Sequence, residues 1–462
     1  MPPSIACIFF LSLIYWLYLS QTTGMNISCD AISYQDLGRQ LQNHGLLSYF
    51  KNGPNREPLY PLLIDASMHL EHFTGIAYVK IMAVFGVLIM LLTQLLTYKV
   101  LRLFNVRDRV CALVLAYLAL SPSLNNAAFS LYSEIAALPF ILGIVLASSG
   151  ALDAIKQNKK QGAVLYGALL GILLAAATLV KAVFECITPV YLIVFFMTVF
   201  LKDKTKSTTL LLCLAAAAIF FYVPINGYKW LNLHYNGSFV ITDRGSWALY
   251  GSTARRMEPL TLKRFAEALA YVPGAGVCNG LFGPKECDFW SFQKSDEFGM
   301  IKQGELNRQN LSTKARNAIL IGLSVHKALQ DPFQYALLTF IEGFKMFFWE
   351  STQTGFVIYP HWLQKIYDTK IFNNGLRLFT SLATGAAVMV LWLGALTAQK
   401  SPLGAMMGLL IFLYIFFFSF FFIDTRYALP IAPLYLIAIG NWINKNLSPK
   451  KIKNSLLLAR QP

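Results

Sequence analysis

The sequence predicts an all-α integral membrane protein with about ten spanning helices, an even number, and both termini in the cytoplasm. Three observations carry that expectation. Of 462 residues, 56% are hydrophobic and only 13% charged, about half the charged share of a soluble domain. Mean hydropathy is +0.51. The apolar residues gather in runs long enough to cross a bilayer, and the breaks between them are short and basic.

The first run, about residues 5–20, has no Lys or Arg before it and no clean small-x-small cleavage site, so it reads as a retained helix instead of a secretory signal. Five more follow at about 78–101, 110–124, 131–149, 163–180 and 187–201. The last four lie at about 208–225, 376–398, 403–423 and 428–443. The 39 Lys and Arg against 23 Asp and Glu leave a net charge of +16, which in a soluble chain would suggest nucleic acid. Here the cations mark topology. If the first helix leaves the cytoplasm, Arg102, Arg107 and Arg109, then Lys156, Lys159 and Lys160, then Lys202, Lys204 and Lys206 all fall inside. Lys400 and the tail with Lys445, Lys450, Lys451 and Lys453 join them. No nucleic-acid partner is expected.

Three regions result. Residues 1–225 form an N-terminal transmembrane module whose first outer loop, about 21–75, is crowded with polar groups; 226–375 is a large extracytoplasmic region; 376–462 holds the last helices and a basic tail. Within the large region, 332–349 is apolar but carries Glu342 and Lys345 three apart, which suits an interfacial helix with a charged stripe. Residues 265–282 contain Pro273 and three glycines and read as a loop or re-entrant segment. Cys278 and Cys287 flank a Gly-rich stretch, where a short disulfide loop fits an oxidising compartment. The other five cysteines show no metal spacing. Asn26, Asn236 and Asn310 begin N-glycosylation sequons, a motif frequent by chance.

Charged residues on the outer side are the candidates for chemistry. Asp30, followed by Tyr34, Leu37 and Leu41 on one helical face, is either an N-cap or a carboxylate aimed outward. In Asn55-Arg56-Glu57-Pro58-Leu59-Tyr60-Pro61, Pro58 forces Glu57 to be extended, so Arg56 and Glu57 point apart. Glu134 stands at the outer entrance of a span and must face protein, water or ligand. Lys181 and Glu185, four apart, form either a surface pair or part of a site. Arg426 and Tyr427 follow a late span, where Arg426 is either a snorkelling anchor or an anion ligand. Arg244, with Arg255 and Arg256 after it, is either solvated loop charge or a cover for an anionic group. Three carboxylates and several cations on one face suit proton removal by a carboxylate while cations hold a phosphate.

Asp30 with Tyr34, Arg56-Glu57-Pro58-Leu59-Tyr60-Pro61, Tyr132-Ser133-Glu134 and Arg426-Tyr427-Ala428-Leu429-Pro430 resemble the GT-C glycosyltransferases. Within them the resemblance is to the family-39-like branch related to protein O-mannosyltransferases and the lipid A aminoarabinose transferase. It implies a GT-C-like helix bundle with short interfacial helices in the outer loops. It also implies an inverting transferase that moves a sugar from a polyisoprenyl-phosphate donor to a glycolipid, polysaccharide or protein outside the cytoplasm, as in a bacterial inner membrane. Asp30 would be the general base and Glu57 and Glu134 the supporting carboxylates. Arg56, Lys181 and Arg426 would hold the donor phosphate, with Tyr34, Tyr60, Arg244 and Tyr427 beside them. The sequence has no paired acidic motif at Asp30 and has Lys where the family often has Arg at 181.

No cofactor is required by this chemistry, no nucleotide loop is visible, and a divalent metal is left open; His69 and His72, three apart, are the nearest thing to a ligand pair. The rival classes are a polytopic transporter or flippase, and a non-catalytic scaffold.

Overall fold

The structure, a computed structural model, describes residues 1–201, 203–309, 311–398, 401–421 and 423–446. Lys202, Asn310, Lys400, Lys450, Lys451 and Lys453 lie outside the described residues. The chain is a multi-pass membrane protein built almost entirely of helices. In chain order, α1 is Pro3–Thr22, and the loop expected to be the first outer one holds α2 (Asp30–Lys51) and α3 (Leu59–Thr74). Then come α4 (Tyr78–Leu103), α5 (Asp108–Leu120), α6 (Pro122–Ala128), α7 (Glu134–Lys156), α8 (Lys160–Val180), α9 (Phe184–Phe200) and α10 (Ser207–Asn236).

The large outer region holds α11 (Arg244–Arg256), α12 (Leu262–Tyr271), α13 (Ala275–Phe282), α14 (Pro284–Cys287), α15 (Phe292–Asn307), α16 (Thr313–Gln330), α17 (Pro332–Gly343) and α18 (His361–Tyr367). It is followed by α19 (Leu378–Ala398), α20 (Pro402–Ser419) and α21 (Ala432–Asn446). Strands β1 (Gly24–Met25) and β2 (Val357–Ile358) pair antiparallel, with Gly24 opposite Ile358, and tie the first outer loop to the end of the large one.

Among the described residues, seven helices are long and apolar enough to cross a membrane, or up to eight if the bent pair α5–α6 is one span. The bend is 56°. It falls where Pro122 cannot donate a helical hydrogen bond and Ser121 Oγ instead accepts from the Leu124 N–H at 3.3 Å. Thus the run at 110–124 is a broken element. Two further expected spans are shorter than a full crossing helix: α9 has 17 residues, and the last splits into a 3-10 segment, Thr425–Ile431, and the 15-residue α21.

The helix α10 runs on past residue 225 to Asn236, and a π-helical turn, Ile371–Arg377, leads directly into α19. Of the candidate spans α7 is the most enclosed, with 61% of its apolar window buried. Its neighbour α8 lies against α10 at a distance only glycine permits: a Cβ on Gly167 would sit 2.2 Å from the Cys213 carbonyl oxygen, and one on Gly171 2.3 Å from that of Ala217.

Helix ends sort onto two faces. One face carries a cavity of about 470 Å³ at the ends of α4, α7 and α9 and the start of α20, lined by Asp153, Lys156, Asp203 and Lys206 among others. On that face the α4–α5 turn meets the end of α21, since Asn444 Nδ2 donates to the Asn105 carbonyl at 3.2 Å. The opposite ends of α7, α8, α9, α10 and α20 gather around a larger cavity described below.

Residues 226–375 depart from expectation in two ways and meet it in one, the Cys278–Cys287 disulfide. Residues 265–282 form the short helices α12 and α13, with Gly274 at φ 124° between them, instead of an open loop. Cys278 and Cys287 are disulfide-bonded. The charged stripe of α17 does not face water: Glu342 and Lys345 are buried, paired with each other at 2.9 Å, and joined by the buried Arg255 and Arg256 of α11. Arg256 Nε donates to Glu342 Oε2 at 2.6 Å. Packing of α11 against α17 encloses these charges, which periodicity along one helix cannot reveal.

Candidate active site

The larger cavity has a volume of about 520 Å³. Asp30, Glu57 and Glu134, which lie far apart in the chain, all line it, together with Arg56, Lys181, Arg244, Tyr34 and Tyr427. Several of the charges reach it from helix ends, where side chains project past the backbone. Glu134 is in the first turn of α7, Glu185 in the first turn of α9, and Lys181 follows the last residue of α8. The signs of these three complement the dipoles of their helix ends, whereas Arg244, a cation at the start of α11, does not.

Asp30 is the first residue of α2, whose N-cap position is Cys29. Its Oδ1 accepts from Arg56 Nη2 at 2.5 Å and its Oδ2 from Arg426 Nη2 at 2.5 Å. Arg244 Nη2 stands 3.7 Å from Oδ1. Burial pushes the Asp30 carboxyl up, but Arg426, Arg56 and Arg244 together outweigh it and hold it well below the usual carboxylate range. The N-cap alternative is therefore replaced by a carboxylate within an arginine cluster. Its helix face seats as the spacing predicts, with Tyr34, Leu37 and Leu41 buried.

Arg56 and Glu57 do point apart. Arg56 donates to Asp30 and, through Nε, to Ser33 Oγ at 3.0 Å, with its guanidinium 4.4 Å from the Tyr34 ring centre. Glu57 Oε1 accepts the Ala182 N–H at 3.0 Å, so it braces the α8–α9 turn. Lys181 and Glu185 do not pair with each other. Lys181 Nζ donates to Glu134 Oε1 at 3.0 Å, and Glu185 Oε1 accepts from Lys229 Nζ at 2.5 Å. The turn between α8 and α9 breaks the helical register that a pair four apart needs. Glu134 is 3% exposed, and its second oxygen is buried with no hydrogen-bond partner among the described residues.

Two expected ligands stand behind the wall. Arg426, 6% exposed, reaches Asp30 from the 3-10 segment and lies 4.8 Å from the Tyr132 ring centre, so it is no snorkelling anchor. Tyr60 packs edge-on to Tyr34 with ring centres 5.1 Å apart, and its hydroxyl donates to the Ser130 carbonyl at 3.5 Å. Arg255 and Arg256 do not reach the cavity lining; they are held by Glu342.

Sequence reasoning missed Lys229, near the end of α10, and the apolar wall of Phe239, Trp247, Phe417, Phe418 and Phe421. The signal for Lys229 was present: it is one more cation on the face where Lys181 and Arg426 break the charge bias. The aromatic wall carried no signal, because Phe417 and Phe418 are continuous with the apolar run of α20.

Among the described residues no group of three or more His, Cys, Asp or Glu side chains is placed to hold a metal ion. His69 Nδ1 lies 3.0 Å from the Asp65 backbone carbonyl oxygen.

The site thus offers anionic and cationic groups around a mostly apolar chamber. Such a chamber can bind a phosphate through the arginines, accept a proton on a carboxylate, and seat an apolar chain against aromatic rings. No protein-family model matches the chain, and a search of curated proteins finds no match.

Proposed function

We propose that the chain is an inverting glycosyltransferase. It takes a sugar from a polyisoprenyl-phosphate donor and attaches it to an acceptor outside the cytoplasm, through a GT-C-like bundle of ten passes. The observation that carries the reading is the convergence of Asp30, Glu57 and Glu134 with Arg56, Lys181 and Arg244 in one cavity at the ends of spans. Ten passes are supported by α9 and α21, both of which reach from one face to the other despite their length. Residues of α9 line both cavities, and α21 joins the Arg426 segment to the α4–α5 turn. The disulfide in the large region supports an oxidising, extracytoplasmic side for the cavity face.

In the reaction proposed, the acceptor oxygen attacks the anomeric carbon on the face opposite the phosphate, the carbon–oxygen bond to the phosphate breaks, and its electron pair leaves with the polyisoprenyl phosphate. The acceptor proton goes to a carboxylate, for which Asp30 is the candidate. Arg56, Arg244 and Arg426 already surround Asp30. An arriving phosphate competes for them, neutralises part of their charge, and leaves Asp30 a stronger base when the donor is present. The prenyl chain has a matching surface: an apolar groove of about 420 Å³ between α8 and α10, lined by Leu59, Leu179 and Val223 among others. Leu59 and Leu179 lie two residues from Glu57 and Lys181.

A transporter is the second reading, and one observation favours it: the same helices α7, α9 and α20 carry cavities at both ends. Purified protein incubated with a panel of polyisoprenyl-phosphate sugars, with products followed by mass spectrometry, decides between them. Formation of a glycosylated product together with free polyisoprenyl phosphate is the expected result. Movement of a sugar or lipid across vesicles with no bond cleaved refutes glycosyl transfer.

A further inference from the structure

We propose that Glu185, Lys229 and Phe239 form the subsite that holds the sugar of the lipid-linked donor, and that this sugar presents hydroxyls and no carboxylate. The inference rests on the glycosyl-transfer reading of the cavity.

All three side chains line the cavity and reach it from three different elements. Glu185 is in the first turn of α9, Lys229 lies near the end of α10, and Phe239 is in the connection from α10 to α11. Lys229 Nζ donates to Glu185 Oε1 at 2.5 Å and sits 4.4 Å from the Phe239 ring centre, so one ammonium fixes both neighbours. Each keeps something to offer. Glu185 Oε2 accepts no hydrogen bond among the described residues. Lys229 stands over one face of the Phe239 ring, yet Phe239 remains 46% exposed.

Exposure separates this pair from the other ion pairs of the cavity. The Glu185 side chain is 35% exposed, against 20% for Asp30 and 4% for Glu134. Its partner Lys229 is the covered one, at 14%. The pair therefore turns an acceptor oxygen, not a cation, towards the cavity. A phosphate is repelled by that oxygen, whereas a hydroxyl donates to it. The aromatic ring beside it gives the carbon-bound hydrogens of a sugar ring a face of negative potential to pack on. A carboxylate acceptor next to an open aromatic ring is the chemistry that holds a sugar, and a sugar acid would bring a second negative charge against Glu185.

Position selects the sugar of the donor. The apolar groove offered to the prenyl chain is lined by Leu179 of α8 and by Val223 and Pro224 of α10. Beyond the groove on α8 comes Lys181, and Glu185 follows it across the turn that leads into α9. On α10, Lys229 is five residues past Pro224, about 7.5 Å further along the helix. Prenyl groove, Lys181 and the Glu185–Lys229 pair thus follow one another in the order of chain, phosphate and sugar in the donor.

The test uses full-length protein in detergent, with undecaprenyl-phosphate neutral sugars and the matching uronic acids as donors and undecaprenyl phosphate, which has no sugar, as a binding probe. The neutral donors are expected to be used at least tenfold better than the acids. Glu185→Ala should raise the KM for the neutral donor by roughly tenfold, the loss of one hydrogen bond to a charged group, with kcat changed by less than about threefold. Binding of undecaprenyl phosphate should be kept or tightened in that variant, because a negative charge is gone and Lys229 is released. A merely structural link between α9 and α10 would weaken both ligands alike. Glu185→Gln, which still accepts from a hydroxyl, should recover part of the KM. Phe239→Ala should raise the KM severalfold and Phe239→Trp should not.

A wild-type KM in Glu185→Ala, equal weakening of donor and undecaprenyl phosphate, or equal use of uronic and neutral donors overturns the proposal while leaving glycosyl transfer standing. If Glu185→Ala does not fold, Phe239→Ala decides: a wild-type KM overturns the proposal, and a raised KM with undecaprenyl phosphate binding intact supports it. A wild-type protein that neither binds undecaprenyl phosphate nor cleaves any donor removes the underlying reading, and this inference with it.

Discussion

Replacing Glu342 by Gln removes the carboxylate that faces three buried cations, Arg255, Arg256 and Lys345. The glutamine keeps the shape, loses the charge, and leaves three cations in an enclosure where none is more than 2% exposed. Removing one partner of a buried ion pair costs about 3–5 kcal/mol, because the remaining charge is uncompensated. At about 1.36 kcal/mol per decade, that raises the open population of the outer region by about two to three and a half decades.

The same helix that carries Arg255 and Arg256 begins at Arg244, so loosening α11 also frees the arginine that stands over Asp30. Hydrogen exchange read by mass spectrometry on peptides of α11 and α17 measures the effect directly. Protection should fall by those decades in both helices and remain unchanged in α8. Loss of less than about one decade would show that the cluster does not hold the outer region, and the reasoning would fail.

Asp30→Asn should abolish sugar transfer while the protein still inserts in the membrane, with some loss of thermal stability because Arg56 and Arg426 lose their counter-charge; turnover within a few fold of wild type removes Asp30 as the base. Glu57→Gln keeps an oxygen to accept the Ala182 N–H but removes the negative charge acting on Lys181, and should weaken transfer; an effect on protein abundance alone would limit Glu57 to a structural brace. Lys345 supplies a pH test. Burial pushes its ammonium down to about 8, Glu342 working against this and Arg255 with it. Above that pH the unfolded chain, with an ordinary lysine near 10.4, binds more protons than the folded one, so stability from this group rises between about pH 8 and 10.4. Lys345→Met should remove that rise, as followed by chemical denaturation; an unchanged pH profile refutes it. Single cysteines at Leu262 and Lys159 should label with an impermeant thiol reagent from opposite sides of sealed vesicles, and labelling from the same side refutes the topology.

Much of the site was legible because its residues sit where charge is expensive. Asp30, Glu57 and Glu134 stood out as carboxylates at the edge of apolar runs, and Lys181 and Arg426 as cations on the wrong side. All are in or directly behind one cavity. Their pairing was not legible. Lys181 was read against Glu185, four residues away, yet its partner is Glu134 from another helix. Glu342 and Lys345 were read as a wet stripe because one helix in isolation shows only its own periodicity.

Hydropathy is a local property summed along the chain, so the sequence by itself determined that this is a helical membrane protein, roughly where each apolar helix lies, and which charges collect at helix ends. What each charge faces depends on which helix ends pack together. The contact between Arg426 and Asp30 spans 396 residues. Only the tertiary structure decided it, because the low dielectric that makes a buried charge require a partner comes from neighbours that the chain brings in from elsewhere.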